Sequence, residues 1–289
     1  MNIYETQKGA IENLYEESLH KYFDKDDYYR RVKSISDELD SEVDGVEERL
    51  KNNYFKKSCL HRIFKVHERV RLVRHFEDQL NEGMDILPRF MYPGLRTYLL
   101  LTCFDQLGQD DKGWRFFPDW LDSKKCRNER TEILSKSLSD EDIVDEEGNA
   151  NPKYIRSVYN KYHKIYGVKN SFMNFLRHLL SQEQRDKLLD KIRIEVYNVT
   201  EDGLEFERFG TDLEKEKWLF QTRNNYTHNL FTVEKHYTEG YLDVDDNWVI
   251  WEETHSENCA QRVLTRESFK EEIEESIIIG IAETIERNS

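Results

Sequence analysis

The chain is expected to fold mainly as α-helices, with small β-hairpins inserted between them. Three observations carry that expectation. Four prolines and twelve glycines in 289 residues, with 35% of the residues charged, favour long helices over a sheet-rich fold. Apolar residues recur at helical spacing along most of the chain. Alternating patterns around hairpin turns are confined to two stretches, near 192–208 and 237–253. The 12% of aromatic residues argues against wholesale disorder, and the length is enough to bury a real core.

Residues 1–82 read as an N-terminal helical extension. Ile3, Ile11, Leu14, Tyr15, Leu19 and Tyr22 recur at near-helical spacing, Asp24 to Asp27 interrupt them, and Tyr28 to Leu39 resume the pattern. Gly83 and Pro88 punctuate the boundary with a second region, 83–289, and Pro93-Gly94 marks a turn or helix start. Leu95 to Leu107 is strongly apolar and stops at Gly108. Trp114, Phe116, Phe117, Pro118 and Trp120 read as a packed loop rather than a base-stacking one, and the acid-rich stretch Asp140 to Gly148 as a solvated loop. Pro152 opens a helical region that Gly167 breaks, and Phe172, Phe175, Leu176, Leu179 and Leu180 form the next amphipathic face. Asp202-Gly203 is a hairpin turn between Ile194–Val199 and Leu204–Phe206. Tyr241 to Trp251 gives a second hairpin about Asp245-Asp246-Asn247, and Thr265 or Ser268 caps a last helix through Ile277, Ile278, Ile279 and Ile281.

Between the two hairpins stands Arg223-Asn224-Asn225-Tyr226-Thr227-His228. It holds the groups needed to bind a phosphodiester and move protons around it. An arginine grips phosphate oxygens bidentately and stays charged at any physiological pH. A histidine suits general acid or base work near neutrality. An asparagine orients either neighbour without adding charge. Positions five apart on a helix stand about 140° apart around its axis, so one chain cannot easily aim both Arg223 and His228 at one point. A second copy across a dyad removes that difficulty.

The segment resembles the signature of the HEPN superfamily, an arginine and a polar residue followed, after a gap of four to six, by a histidine. Leu99 to Gly108 is similar, more weakly, to the first core helix of that family. The resemblance implies an HEPN-like helical bundle that works as a homodimer, with a composite site where the two signature helices meet. It implies a metal-independent endoribonuclease of the toxin or antiviral-defence kind, leaving 2′,3′-cyclic phosphate and 5′-hydroxyl ends. Arg223 would hold the scissile phosphate, Asn224 would orient it, and His228 would assist attack or departure. Some family toxins are silenced by adenylylation of a tyrosine two residues after the histidine. That position is Leu230 here, which sets this chain apart from such regulation.

The net charge of −15 is at odds with RNA handling, which rests on neutralising phosphates. Between Lys56 and His75, however, seven Lys and Arg residues face the single acid Glu68. Arg62, Lys65, Arg69, Arg71 and Arg74 are therefore candidate RNA-binding residues on one basic helix face. The competing reading is a solvated face paired with acids such as Glu42, Asp44, Glu47 and Glu48. Lys124-Lys125-Cys126-Arg127 is a smaller basic cluster. Cys59 and Cys103 read as buried thiols, and the spacing of His61, His67 and His75 does not suit a metal site, so neither metal nor cofactor is expected. No apolar stretch is long enough to cross a bilayer and Met1 to Thr6 shows no secretory pattern, so a cytoplasmic protein is expected. Expected partners are RNA, a second copy, and an antitoxin or regulatory protein. Two rivals stand beside the ribonuclease: an HEPN fold kept for RNA binding or dimerisation without cleavage, and an acidic helical adaptor whose hairpins and basic helix contact proteins.

Overall fold

The structure, a computed structural model, describes residues 7–37, 46–82, 92–109, 117–122, 127–128, 130–131, 152–228, 242–243 and 248–289. It is mainly helical with one small antiparallel sheet. Helix α1 (Lys8–Leu14) runs into a π-helical turn, Tyr15–Leu19. Then come α2 (Lys25–Asp37), α3 (Val46–Asn81), α4 (Tyr92–Leu107), α5 (Phe117–Asp122) and α6 (Pro152–Tyr166). Helix α7 (Val168–Asn174) continues as a second π turn, Phe175–Leu179, and α8 (Gln182–Leu189) follows. The remaining elements are β1 (Ile192–Thr200), β2 (Gly203–Phe209), α9 (Asp212–His228), β3 (Leu242–Asp243), β4 (Trp248–His255), β5 (Cys259–Arg266) and α10 (Phe269–Asn288).

Local chemistry sets many of these boundaries. The Asp24 carboxylate accepts from the Asp26 amide at 2.9 Å, so the interruption at Asp24 to Asp27 is a helix start. Ser181 caps α8 by accepting from the Gln184 amide at 3.2 Å. Pro152 stands first in α6, where a missing N–H costs nothing. Gly203, with φ at 125°, makes the β1–β2 turn that a side chain would strain. Ser268 precedes α10 without a side-chain cap, and Thr265 lies in β5.

The two hairpins belong to one sheet. Strand β5, for which the sequence reading held no expectation beyond Thr265 as a helix cap, pairs with both β1 and β4 and joins them into one sheet of order β2-β1-β5-β4-β3. Ile192, Ile194, Val196 and Val263 share its inner face and belong to the same core cluster as Trp218 and Leu219 of α9. That cluster also holds Ile11, Leu14, Tyr28, Val32, Ile63, Val66 and Val70, so α1 to α3 pack into the core that α4, α7 and α10 build. A smaller cluster of Trp120, Val158 and Tyr162 joins α5 to α6. Residues 110–116, 140–148 and 124–126, with Leu230, lie outside the described residues. Among the described residues no helix is long and apolar enough to cross a membrane.

Two glycines let the central helices meet. A Cβ on Gly108 would stand 2.0 Å from the Ser171 carbonyl oxygen, and one on Gly280 would stand 2.5 Å from Cε2 of Phe175. Phe175 is fully buried and stacked on Phe104, ring centres 4.1 Å apart, so it has nowhere to retreat. Gly280→Val is expected to cost about 3 kcal/mol by overpacking. A Cβ on Gly9 of α1 meets nothing within 4 Å, and Gly9→Ala should instead stabilise by about 0.5 kcal/mol. Urea unfolding of both variants checks the opposite signs.

Candidate active site

Helix α9, described over Asp212–His228, carries the Arg-Asn-x-x-x-His segment. Its start is a capping box. The Glu214 amide donates to the Thr211 hydroxyl at 3.4 Å, and the Thr211 amide donates to a Glu214 carboxylate oxygen at 2.7 Å. Arg208 of β2 clamps that carboxylate bidentately at 2.8 and 3.0 Å. These bonds hold the Glu214 carboxyl down near 2. Farther along, Glu216 is 1% exposed and accepts from Arg177 and Arg185 at 2.9 Å each, tying α9 to the α7–α8 region. Arg177-His178 thus serves structure: Arg177 holds Glu216 and the His178 carbonyl accepts from Arg287 at 2.9 Å. Trp218 and Leu219 face the core.

The signature turn lies on α4. Tyr226 stacks on Tyr98 with ring centres 4.6 Å apart, an offset pair that fixes the rotation of α9 about its axis. One turn earlier, Arg223 reaches Asp105. Its Nε and Nη2 donate to the same oxygen, Oδ2, at 2.7 and 2.6 Å. Nη1 donates to the Asn224 side-chain oxygen at 3.1 Å and lies 3.4 Å from the Thr227 hydroxyl. One edge of the guanidinium is therefore held by a carboxylate and Nη1 is steered by an amide. All three guanidinium nitrogens are thus engaged, Nη1 by the longer bonds, and the orientation of the arginine is fixed. The His228 side chain is not among those the structure describes.

Asp105 is itself unusual. Its side chain is 5% exposed, and Oδ1 is buried with no hydrogen-bond partner among the described residues. Burial pushes its carboxyl up to about 7, against the pull of Arg223 and Arg69. Arg69, on α3, donates from Nη1 to the Thr102 carbonyl and hydroxyl, each at 3.1 Å, which places its charge beside Asp105. Cys103 lies in the same stretch of α4, and burial pushes its thiol up to about 12, so it is inert packing. Cys59 is also buried.

The five candidate RNA-binding residues on α3 do not share one open face. Arg62 is 3% exposed and Arg69 turns inward to Thr102. Arg71 pairs with Glu17 at 3.3 Å and Glu68 at 3.1 Å, and Arg74 with Glu274 at 3.4 Å. Lys65 is exposed. The acids that hold this helix come from the π turn after α1, from α3 itself and from α10. The side chains of Glu42, Asp44, Glu47 and Glu48 are outside the described ones. Of the five, Arg69 is the one whose charge acts on Asp105. His67, 1% exposed beside Glu17 at 3.3 Å, is held below its ordinary pKa by burial. Among the described residues no group of three or more His, Cys, Asp or Glu side chains is placed to hold a metal ion.

The sequence reading did not find Asp105 as a site residue, nor Tyr98 and Tyr226 as the pair that seats α9. An acid in an otherwise apolar helix, Leu99-Leu100-Leu101-Thr102-Cys103-Phe104-Asp105, was the available signal, because a buried carboxylate demands a partner. No family model, no curated protein and no solved structure matches the chain. The chemistry of these residues is what bears on function.

Proposed function

We propose that the chain is an HEPN-type, metal-independent endoribonuclease that works as a homodimer, of the toxin or antiviral-defence kind. One observation supports this reading above the others: the arginine of the Arg-Asn-x-x-x-His segment is buried against a carboxylate along one edge and steered by the adjacent asparagine. In this reading Arg223 binds the non-bridging oxygens of the scissile phosphate through Nη1 and Nη2, phosphate replacing the longer Nη1 bonds to Asn224 and Thr227. His228 of one copy takes the proton of the ribose 2′-hydroxyl, and the 2′ oxygen attacks phosphorus. The bond to the 5′ oxygen breaks, and that oxygen takes its proton from the same imidazole. Two helices meeting at a dyad bring Arg223 of one copy to His228 of the other, which a single helix with those positions about 140° apart does not.

End analysis tests the chemistry. The 3′ ends of RNA fragments made by the purified protein in EDTA should resist phosphatase until the cyclic phosphate is opened, and the 5′ ends should accept a phosphate from a kinase directly. Fragments with 5′ phosphates and 3′ hydroxyls would sink this mechanism. A second reading, an HEPN fold that binds without turnover, is favoured by the engagement of Arg223 with Asp105, since the same pair also holds α9 on α4. It predicts RNA binding with no fragments of either kind.

A further inference from the structure

The β1–β2 hairpin leaves an open sheet edge that has the chemistry of a docking site. Strand β2 is last in the sheet order, so among the described residues the backbone groups on its outer side have no strand to pair with. All seven of its residues are exposed. Leu204 lies opposite Val199 and Phe206 opposite Tyr197, and both pairs fall on the face away from Ile194 and Val196, whose side chains enter the core. A register shift beyond Phe206 brings Phe209 to the same side, its ring 4.9 Å from that of Phe206. Val199, Leu204, Phe206 and Phe209 are 39%, 43%, 47% and 60% exposed. An unpaired edge beside an apolar ridge is a template for another strand.

The charges decide what that strand is. Glu205 faces away from the ridge, Glu207 sits at the bulge, and neither forms an ion pair among the described residues, while Arg208 is consumed by Glu214. Glu201 and Asp202 extend the negative charge to the turn. A second copy fits poorly. Antiparallel pairing of two β2 strands about Phe206 sets Glu205 opposite Glu207 twice, and a shift of two residues sets like glutamates opposite each other. Each copy also carries a net charge of −15. Nucleic acid is repelled by the same carboxylates. We propose that the β2 edge binds an extended polypeptide segment of a partner protein in which apolar residues alternate with Lys or Arg. The backbone adds a sixth strand, the apolar residues cover Leu204 and Phe206, and the basic ones neutralise Glu205 and Glu207. This proposal does not depend on the ribonuclease reading.

The test uses the full chain and an end-blocked, fluorescent peptide of alternating Lys and Val. Its controls are the same peptide N-methylated along one edge, which keeps charge and composition, and a Glu/Val peptide. Binding should weaken at least about tenfold on N-methylation, in Phe206→Ser, and in the double variant Glu205→Lys, Glu207→Lys. The charge-reversed variant should take the Glu/Val peptide instead, and bound peptide should slow amide exchange at residues 203–209. These positions are exposed, so circular dichroism should be unchanged. Equal binding of the N-methylated peptide, binding indifferent to Phe206, or protection elsewhere would each overturn the proposal. So would self-association of the free protein that Phe206→Ser abolishes, which would assign the edge to a second copy.

Discussion

His228→Ala is expected to lower RNA cleavage by about 10²- to 10⁴-fold, the range a positioned proton-transfer group contributes, with unfolding unchanged. The described bonds that seat α9 lie before His228: Thr211 with Glu214 at the start, Glu216 with Arg177 and Arg185, and Tyr226 on Tyr98. Removing the imidazole leaves all of them in place. Arg223→Lys should be nearly as severe for a different reason. Lysine keeps the charge and a contact with Asp105, but it cannot offer a fork to phosphate while holding the carboxylate. Its deficit should therefore appear in cleavage rate while the fold survives. Initial rates on one RNA, beside urea unfolding of each variant, separate the two effects. A variant that loses activity only in proportion to its loss of folded protein would contradict the assignment.

The second large effect is on stability, and its sign depends on pH. Arg223→Ala strips Asp105 of its bonded cation. In the wild type the folded carboxyl titrates at about 7, well above the ordinary value, because burial disfavours its charged form. Below about pH 4 the group is protonated in both folded and unfolded chains and contributes nothing. Between there and pH 7 the folded chain holds a proton that the unfolded chain releases, so stability falls as pH rises, and above pH 7 the cost is complete. Without Arg223 the folded value rises further, and stability keeps falling above pH 7. Arg223→Ala is therefore expected to cost about 1.5 kcal/mol at pH 5.5, where the carboxyl is mainly neutral and only the guanidinium's hydrogen bonds to it are lost. At pH 9, with a buried charge left uncompensated, it should cost about 3 kcal/mol. Adding Asp105→Asn should restore most of the loss at high pH and flatten the profile. Urea midpoints across that range decide the matter; a cost that does not grow with pH would mean that Asp105 is not the buried partner.

Much of the helical frame was legible because its signals are local. Pro152 and Gly167 bound α6, Asp202-Gly203 turns β1 into β2, and Ile277, Ile278 and Ile281 are buried in α10 as their apolar run implied. Strand β5 was not legible, because Val263, Leu264 and Thr265 are buried in succession. A strand paired on both sides and covered on both faces shows no alternation to read. The capping box at Thr211 and Glu214 was present in the sequence and passed unread. The basic residues of α3 illustrate the harder limit. Counting them suggested one face, but α3 is enclosed on several sides, burying Arg62 and His67 with Ile63 and Val66. Its acids, Glu17 and Glu274, come from distant parts of the chain. The site was half legible for the same reason. Arg223 and Asn224 announce themselves as neighbours, whereas Asp105 stands 118 residues away and is joined to them only by the packing of α4 on α9.

The most direct test of a shared Arg/His site is a mixing experiment with full-length protein in EDTA. Arg223→Lys and His228→Ala subunits are each assayed alone on a structured RNA, then after unfolding and refolding together. Each should be inactive alone. If the arginine of one copy works with the histidine of the other, mixed dimers regain one intact pair, and cleavage should return to a sizeable fraction of the wild-type rate with cyclic-phosphate ends. Inactive mixtures beside an active wild type would contradict the shared site, and a wild type that cleaves no RNA would contradict the ribonuclease itself.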